Sequence, residues 1–590
     1  MVINRLVLIK PSFFYSSLSC LSPSQLLVPF ERILALKKSH LLHSFLIRLF
    51  PILLVPFERI IALTFFSFLK NRLFHPKSYL APQFKPHLNV IEMKNNQIKA
   101  IAPMLLASLV MAGCNSDSKT QAMFDNIELA KSYKPQGEHN PLATQRFGAD
   151  PYAMEYNGRV YVYMTNDVLE YDTAGVAKNN SFQTINKIFC ISSDDLVNWT
   201  DHGAMPIAGP DGAAKWAQFS WAPTACHKTI DGKEKFFLYF ANSGNGIGVV
   251  TSDTPYGPWT DPIGKPIVSR ETPTCASVTW LFDPAVLVDD NGDGYLFVGG
   301  GVPFIPGKGP QFADPGTARV VKLDASLTGL DGDPVAINPP YLFEDAGANK
   351  IGDTYYYSYC TNFNSPEIGN GRIAYMTSKN PMGPYTFQGT FFNNPGDFFG
   401  IGGNNHHAVC KLGDEYFLFY HAQILRERMG ITADGYRSTN VDKVIITEDG
   451  KIEQVTGTYT GVEQTKAFNP FNYTEAETMA RMGGIETRYL DGTTNLCVTG
   501  INTGDWLELE GVDFAEGASQ FTAKVASNSK GAIKICLDKF DGENVGYLVV
   551  KNTNGQFWDV TANLAKPVSG KHDLYFVFAG EFEFDGWQFK

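Results

Sequence analysis

Three acidic residues recur at one place in a repeating pattern. Asp150 stands in Ala149-Asp150-Pro151, Asp283 in Phe282-Asp283-Pro284 and Glu344 in Phe343-Glu344-Asp345, each shortly ahead of a turn and an aromatic, strand-like run. Trp221-Ala222-Pro223 and Asn405-His406-His407 hold the same place in two further units. A lone acid there reads as a turn or cap residue. Three in matching places do not, because like charges gathered in one site cost stability unless function requires them. Two carboxyls can hydrolyse a glycosidic bond, one activating water and the other protonating the leaving oxygen; inversion needs them roughly 6.5–9.5 Å apart. A third carboxylate beside the acid favours its protonated form. An indole such as Trp221 offers a sugar ring an apolar face.

The elements that must carry these residues are short strands. Aromatic runs span Gly158 to Tyr163, Lys235 to Tyr239, Gly294 to Val298, Thr354 to Ser358 and Glu415 to Phe419. Turn residues precede each run, among them Asn157-Gly158, Asp231-Gly232 and Gly413-Asp414, and Asn-Gly or Asp-Gly signals a hairpin. A second repeat, Ser193 to Trp199, Ser252 to Trp259 and Ser378 to Tyr385, runs in phase with the first. A period of roughly sixty residues with several strands per unit predicts a five-bladed β-propeller over 140–465. The first strand of each blade lines the axis, so Asp150, Asp283 and Glu344 converge on one funnel with Trp221 and His406. The blade order predicts Asp150 across the axis from Glu344, with room for a water between, and Asp283 nearer to Glu344.

Residues 140–463 closely resemble the family 43 glycoside hydrolases. The motifs are Asn140-Pro141, Ala149-Asp150-Pro151, Ser220-Trp221-Ala222-Pro223, Phe282 to Val286, Phe343-Glu344 and Asn404 to His407. The resemblance implies that Asp150 is the general base, Glu344 the general acid and Asp283 the residue that tunes and orients the acid. It implies that His406 is an axial histidine near a bound cation, often calcium through water. It also implies that Arg437, in Gly435-Tyr436-Arg437-Ser438, contacts the sugar, with Trp221, Phe282 and His406 as further substrate-binding residues. His407, Asp289, Asp290 and Asp345 read as structural neighbours. The acid motif departs from the commoner form, since Asp345-Ala346 follows Glu344. Longer runs, Phe147 to Tyr171, Gly209 to Trp216 and Thr279 to Asp283, are most similar to arabinoxylan arabinofuranohydrolases. That similarity implies an inverting enzyme removing α-L-arabinofuranosyl side groups from arabinoxylan. An exo-β-xylosidase or an arabinan-degrading enzyme would share the carboxylates and stays open. A non-catalytic surface glycan-binding lipoprotein would be expected to lack one of them.

Residues 466–590 read as a β-sandwich. Glu475-Ala476-Glu477, Gly504-Asp505-Trp506 and Phe584-Asp585-Gly586-Trp587 resemble the family 6 carbohydrate-binding module. The resemblance implies a structural calcium held by Glu475, Glu477 and Asp585, whose oxygens suit a hard cation. Trp558 matches one aromatic wall of that family's sugar cleft, but Gly500 and Glu583 stand where a facing Tyr and a nearby Asn are usual. Trp506 reads as core.

A formal net charge of -11 argues against a nucleic-acid partner. Of nine cysteines, Cys20 and Cys114 fall in N-terminal segments; with no Cys-x-x-Cys pair, the other seven read as buried thiols. No cofactor is expected for the chemistry beyond structural Ca2+. Residues 1–92 carry only Glu31, Glu58 and Glu92 as acids and repeat LLVPFERILAL at 26–36 as LLVPFERIIAL at 53–63. They read as a start-site misassignment, with a genuine N-terminal extension as the rival. From Met93 an export signal over 93–113 follows, with Lys94, Lys99, an apolar run from Ile101 to Met111 and a lipobox, Met111-Ala112-Gly113-Cys114. Acylated Cys114 and a flexible tether over 114–139 would make this an exported, membrane-anchored monomer at the cell surface or in the periplasm, with hemicellulose as its partner.

Overall fold

The computed structural model describes residues 118–301, 315–490, 492 and 494–590. The expectations for 1–92, for the signal 93–113 and for the lipid anchor Cys114 lie outside the described residues. The described chain is all-β, and no described helix is long and apolar enough to cross a membrane.

The aromatic runs are strands, each the second of an antiparallel sheet. The first sheet joins β1 (Ala149–Tyr156), β2 (Arg159–Thr165), β3 (Lys187–Ser193) and β4 (Trp199–Pro206) in sequence order. The second joins β5 (Trp221–Ile230), β6 (Lys233–Ala241) and β7 (Ile247–Ser252). The third joins β8 (Ala285–Val288), β9 (Gly294–Val298), β10 (Arg319–Lys322) and β11 (Val335–Ala336). The fourth joins β12 (Leu342–Ile351), β13 (Thr354–Thr361), β14 (Ile373–Ser378) and β15 (Thr386–Phe392). The fifth joins β16 (His407–Leu412), β17 (Glu415–Ala422) and β18 (Ser438–Val444). The β1–β2 hairpin turns through Asn157 and Gly158 at φ 54° and 75°, and β5–β6 through Asp231 and Gly232 at 51° and 76°. Positive φ at both central residues is the primed turn that matches strand twist, which is why Asn-Gly and Asp-Gly stand there.

A separate core lies between each successive pair of sheets. Tyr163 and Ile188 of the first pack on Phe236 and Leu238 of the second, and Tyr239 and Val249 of the second on Leu296 and Val321 of the third. Phe297 and Val320 meet Tyr357 and Ala374; Tyr356 and Tyr375 meet Leu418 and Tyr420. A fifth core joins Phe417 and Phe419 back to Val160 and Val162 of the first sheet. Each large apolar side chain so buried contributes about 1.5–3 kcal/mol. The first strands touch in the same order, β1 with β5, β5 with β8, β8 with β12, β12 with β16 and β16 with β1.

The C-terminal region is a sandwich of two antiparallel sheets. One runs β22 (Glu486–Tyr489), β23 (Leu496–Thr499), β30 (Glu583–Phe589), β25 (Ala518–Ala526), β28 (Trp558–Val568), with β19 (Thr474–Glu475) on β30. The other runs β21 (Arg481–Gly483), β24 (Trp506–Asp513), β29 (Lys571–Ala579), β26 (Gly531–Leu537), β27 (Glu543–Val550). Leu507, Phe521, Ile533, Phe576 and Trp587 fill the space between. Trp506 is buried, and the seven described cysteines are buried free thiols. The sandwich is joined to the first sheet by backbone: β20 (Thr478–Met479) pairs with Thr200 and Trp199 of β4.

The segment expected to be a flexible tether is fixed from Ala130 onward. Ala130 N–H donates to Gly504 O at 2.9 Å, and Trp506 Nε1 donates to Ala130 O at 2.8 Å. Buried Lys134 donates to Leu142 O at 3.2 Å and Ala480 O at 2.9 Å, strapping both regions together.

Candidate active site

A left-handed residue recurs at the same place in four sheets, inside β1, β5 and β12 and two residues before β8. Asp150 has φ 47°, Ala222 39°, Asp283 47° and Asp345 68°, and the residue after each is Pro151, Pro223, Pro284 and Ala346. In β1, β5 and β12 the strand pairing is irregular at this point, between Ala149 and Tyr152, Trp221 and Thr224, and Glu344 and Gly347. Such a bulge re-aims side chains and is found beside active sites, and it costs of order 1–3 kcal/mol per residue held there. The alignment corrects the sequence register. Glu344 does not match Asp150 and Asp283; it stands one residue earlier, with Trp221 and Phe282. Asp345, read as a structural neighbour, holds the place of the two aspartates.

The bulges bring the predicted residues together around one imidazole. His406 Nδ1 is 3.6 Å from Asp150 Oδ1 and 3.5 Å from Asp345 Oδ1. His406 Nε2 is 3.4 Å from Asp283 Oδ2 and 3.5 Å from Glu344 Oε1. Asp150 and Glu344 therefore lie off opposite ring nitrogens. Asp283, Glu344 and His406 have atoms within 4.8 Å of one another, as no other His, Cys, Asp or Glu trio among the described residues does. Asp345 N–H donates to Asp283 Oδ2 at 3.0 Å, and Asp345 Oδ2 pairs with His407 Nδ1 at 2.5 Å. Asp289 and Asp290, elsewhere, hold Lys350 at 2.5 Å and 2.8 Å.

Arg437 bears on Asp150 directly. Its Nη1 donates to Asp150 Oδ1 at 2.7 Å, while Nη2 and Nε grip Asp167 Oδ1 and Oδ2 at 2.8 Å and 2.9 Å. His421 completes the cage: Nδ1 accepts the Asp150 amide at 3.0 Å, and Nε2 meets Asn404 O at 3.0 Å, the tautomer with the proton on Nε2. Burial works against charge on Asp150, yet Arg437 first, then His406, hold its carboxyl well below the usual carboxylate range. Burial lifts Asp283 well above that range, opposed by His406 and reinforced by Glu344 and Asp150. Burial also opposes charge on His406, but Asp150, Asp345 and Asp283 push it well above the ordinary histidine value. The carboxyls of Asp150 and Asp283, a few ångströms apart, are thus pushed in opposite directions by their surroundings.

Above this floor lies a cavity of about 160 Å³ lined by Asp150, Phe182, Ile185, Trp221, Phe282, Asp283, Glu344, Asn404, His406 and Arg437. Trp221 and Phe282 reach it as expected. Asp167, His421, Phe182, Ile185 and Asn404 carry roles that sequence reading missed. Asp167 could have been found as an acid just past the end of β2; His421 is one residue of an apolar strand and gave no signal.

In the sandwich, Lys524 Nζ is 2.6 Å from Asp585 Oδ2. Glu477 Oε2 and Asp585 Oδ1 are buried without a hydrogen-bond partner. Burial, then Asp585, lifts Glu475 to about 6, and burial lifts Glu477 well above its usual value. Glu475, Glu477 and Asp585 do not bring three ligand oxygens within 4.8 Å of one another, so the expected calcium finds its support in the unsatisfied oxygens of Glu477 and Asp585 alone. At the axis Asp283, Glu344 and His406 have ligand atoms within 4.8 Å of one another, a donor set that could hold a cation. Where the module's sugar cleft was expected, a depression of about 600 Å³ is lined by Gly500, Asn502, Ser527, Asn528 and Glu583. Arg488 grips both Glu583 oxygens at 2.6 Å, and Trp558 is 54 % exposed.

The family model for glycosyl hydrolases family 43 matches residues 138–452, over half of the chain. The chain is a family 43 glycoside hydrolase. A second model, carbohydrate binding module (family 6), matches 475–590 of this hydrolase. An arabinoxylan arabinofuranohydrolase of Bacillus subtilis (strain 168) is 49% identical over 475 residues, 77% of the hydrolase and 92% of that relative. One of Paenibacillus polymyxa is 47% identical over 476 residues, 77% of the hydrolase and 75% of the relative. The crystal structure of a family 43 arabinoxylan arabinofuranohydrolase from Bacillus subtilis in complex with cellotetraose matches with a TM-score of 0.76 at 48% identity, covering 78% of the hydrolase and 99% of that chain.

Proposed function

We propose that this hydrolase removes α-L-arabinofuranosyl side groups from arabinoxylan with inversion at the anomeric carbon. The observation that carries the mechanism is the placing of Asp150 and Glu344 off opposite nitrogens of His406, at the floor of a pocket sized for one terminal sugar. Water beside Asp150 attacks the anomeric carbon and gives Asp150 its proton as the glycosidic bond breaks. Glu344 gives its proton to the leaving oxygen. Arg437 keeps the base ionised and aimed. Asp283 orients the acid, a part supported by its reaching the same His406 nitrogen as Glu344, at 3.4 Å and 3.5 Å. Trp221 and Phe282 offer the sugar apolar faces. The likeness to two arabinoxylan arabinofuranohydrolases supports the substrate.

Four further parts belong to this reading. The five sheets close into a five-bladed propeller, supported by cores and first-strand contacts that run in order and return to the first sheet. A calcium ion sits among Glu475, Glu477 and Asp585, supported by the orphaned oxygens of Glu477 and Asp585. The protein acts as a monomer. Cys114 is the acylated first residue of an exported, membrane-anchored protein, supported by the Met111-Ala112-Gly113-Cys114 motif. Mass spectrometry of the exported protein tests the anchor; an unacylated Cys114 refutes it. Digestion of arabinoxylan tests the substrate: free arabinose with the inverted anomer formed first is expected. Xylose from chain ends, or release from linear arabinan instead, would overturn it.

A further inference from the structure

We propose that Phe182 is a specificity-determining and positioning residue of the sugar pocket, held in a strained backbone conformation for that purpose. The proposal rests on the pentose-pocket reading above. Phe182 lies in the loop between β2 and β3 with φ 59°, a conformation a bulky side chain avoids. Its ring lines the cavity, is 37 % exposed, and has the Arg437 guanidinium carbon 5.2 Å from its centroid.

The strain is held in place by an organised set of bonds. Phe182 N–H donates to Asn180 Oδ1 at 2.9 Å. Asn180 in turn donates from Nδ2 to Gly435 O at 3.0 Å and from N–H to Asp434 O at 2.9 Å. Gly435 itself has φ 88°, and a Cβ there would stand 3.1 Å from Asn180 Cβ and 3.5 Å from Phe182 Cζ. Tyr436 ties the same two segments, its hydroxyl donating to Lys178 O at 2.7 Å and accepting Glu170 N–H at 3.1 Å. The loop is thus moulded onto the segment that carries Arg437. The apolar core beneath it is built from Phe147, Leu425, Ala433 and Tyr436, and Phe182 stands outside that core.

A strained aromatic residue that serves no core, at the rim of a catalytic cavity, points to function. The ring covers the guanidinium that pins Asp150, and a dry, stacked guanidinium holds a carboxylate more firmly than a wet one. It also lines the pocket, so it sets how much room the bound sugar has.

The test compares Phe182→Gly, Phe182→Ala and Phe182→Tyr with the wild type by thermal unfolding, and by kcat and KM on nitrophenyl arabinofuranoside, nitrophenyl xyloside and arabinoxylan. Glycine relieves the positive φ, so Phe182→Gly is expected to match or exceed wild-type stability. Its kcat/KM on the preferred pentoside should still fall by roughly tenfold, in kcat as well as KM, with a narrower ratio between the two pentosides. Phe182→Tyr should retain activity. A glycine variant with wild-type kcat/KM and ratio overturns the proposal, as does a loss of activity that merely tracks a loss of stability. If the wild type frees no arabinose from arabinoxylan, the substrate reading fails alone, because the Phe182 comparison runs on whichever pentoside is cleaved.

Discussion

Replacing Arg437 by Met should damage stability and base catalysis through separable routes. The guanidinium is buried and neutralises two buried carboxylates, Asp150 at 2.7 Å and Asp167 at 2.8 Å. Removing one partner of a buried ion pair costs about 3–5 kcal/mol, because the other charge is left without compensation. Against the roughly 5–15 kcal/mol stability of a typical domain that is a large loss. Asp150 meanwhile keeps only His406 against its burial, so its carboxyl must move up from its depressed position. A base that must be ionised then fails from higher pH downward. The acidic limb of kcat/KM moves up, with about tenfold lost below the limb for each unit moved. The sign for stability agrees: a depressed acid stabilises above its unfolded value and loses that contribution as pH falls through its folded value. Adding Asp167→Asn to Arg437→Met removes the second orphaned charge, and should return about 0.5–3 kcal/mol of stability without moving the limb back. Chemical denaturation and pH–rate profiles of the single and double variants measure both. A profile that does not shift in Arg437→Met would refute the role given to the guanidinium.

Asp150→Ala and Glu344→Ala should each lose about 10²-fold or more in kcat with the fold intact, and Glu344→Ala should be partly spared on nitrophenyl glycosides, whose leaving group needs no proton; near-normal activity of Asp150→Ala refutes its assignment. Lys134, which burial lowers to about 7, is charged both folded and unfolded at acid pH and pays its burial cost there. Between its folded value and the ordinary 10.5 the folded form sheds the proton first, so wild-type stability rises with pH across that window relative to Lys134→Met, by up to about 1.4 kcal/mol per unit; equal pH dependence of the two melting curves counts against it. Adding Ca2+ to chelator-treated protein should raise the unfolding temperature, worth about 2.7 kcal/mol at a hundred times Kd, and Glu477→Gln should abolish the response; a response that survives the substitution places the ion elsewhere.

The residue types of the site were legible in the sequence because propeller-like repetition writes them at matching places. Asp150, Trp221, Asp283, Glu344 and His406 could be collected before any fold was known. The hairpins were legible as well, since Asn157-Gly158 and Asp231-Gly232 can satisfy two positive φ values where most pairs cannot. The register within the repeat was not legible. A bulge adds a residue on one strand only, and only the paired strands show that Asp345, not Glu344, shares the position of Asp150 and Asp283.

The sequence alone therefore determined the strand pattern, the two regions and the chemical groups available, because these follow from local propensity and spacing. The charge state of each group was decided by the tertiary structure. Arg437 and Asp167 are 270 residues apart, and Asp150 and His421 are 271. Electrostatic coupling depends on separation in space and on burial. No feature of the sequence near Asp150 could say that Arg437 and His406 would push its carboxyl down while burial pushes that of Asp283, close by, up.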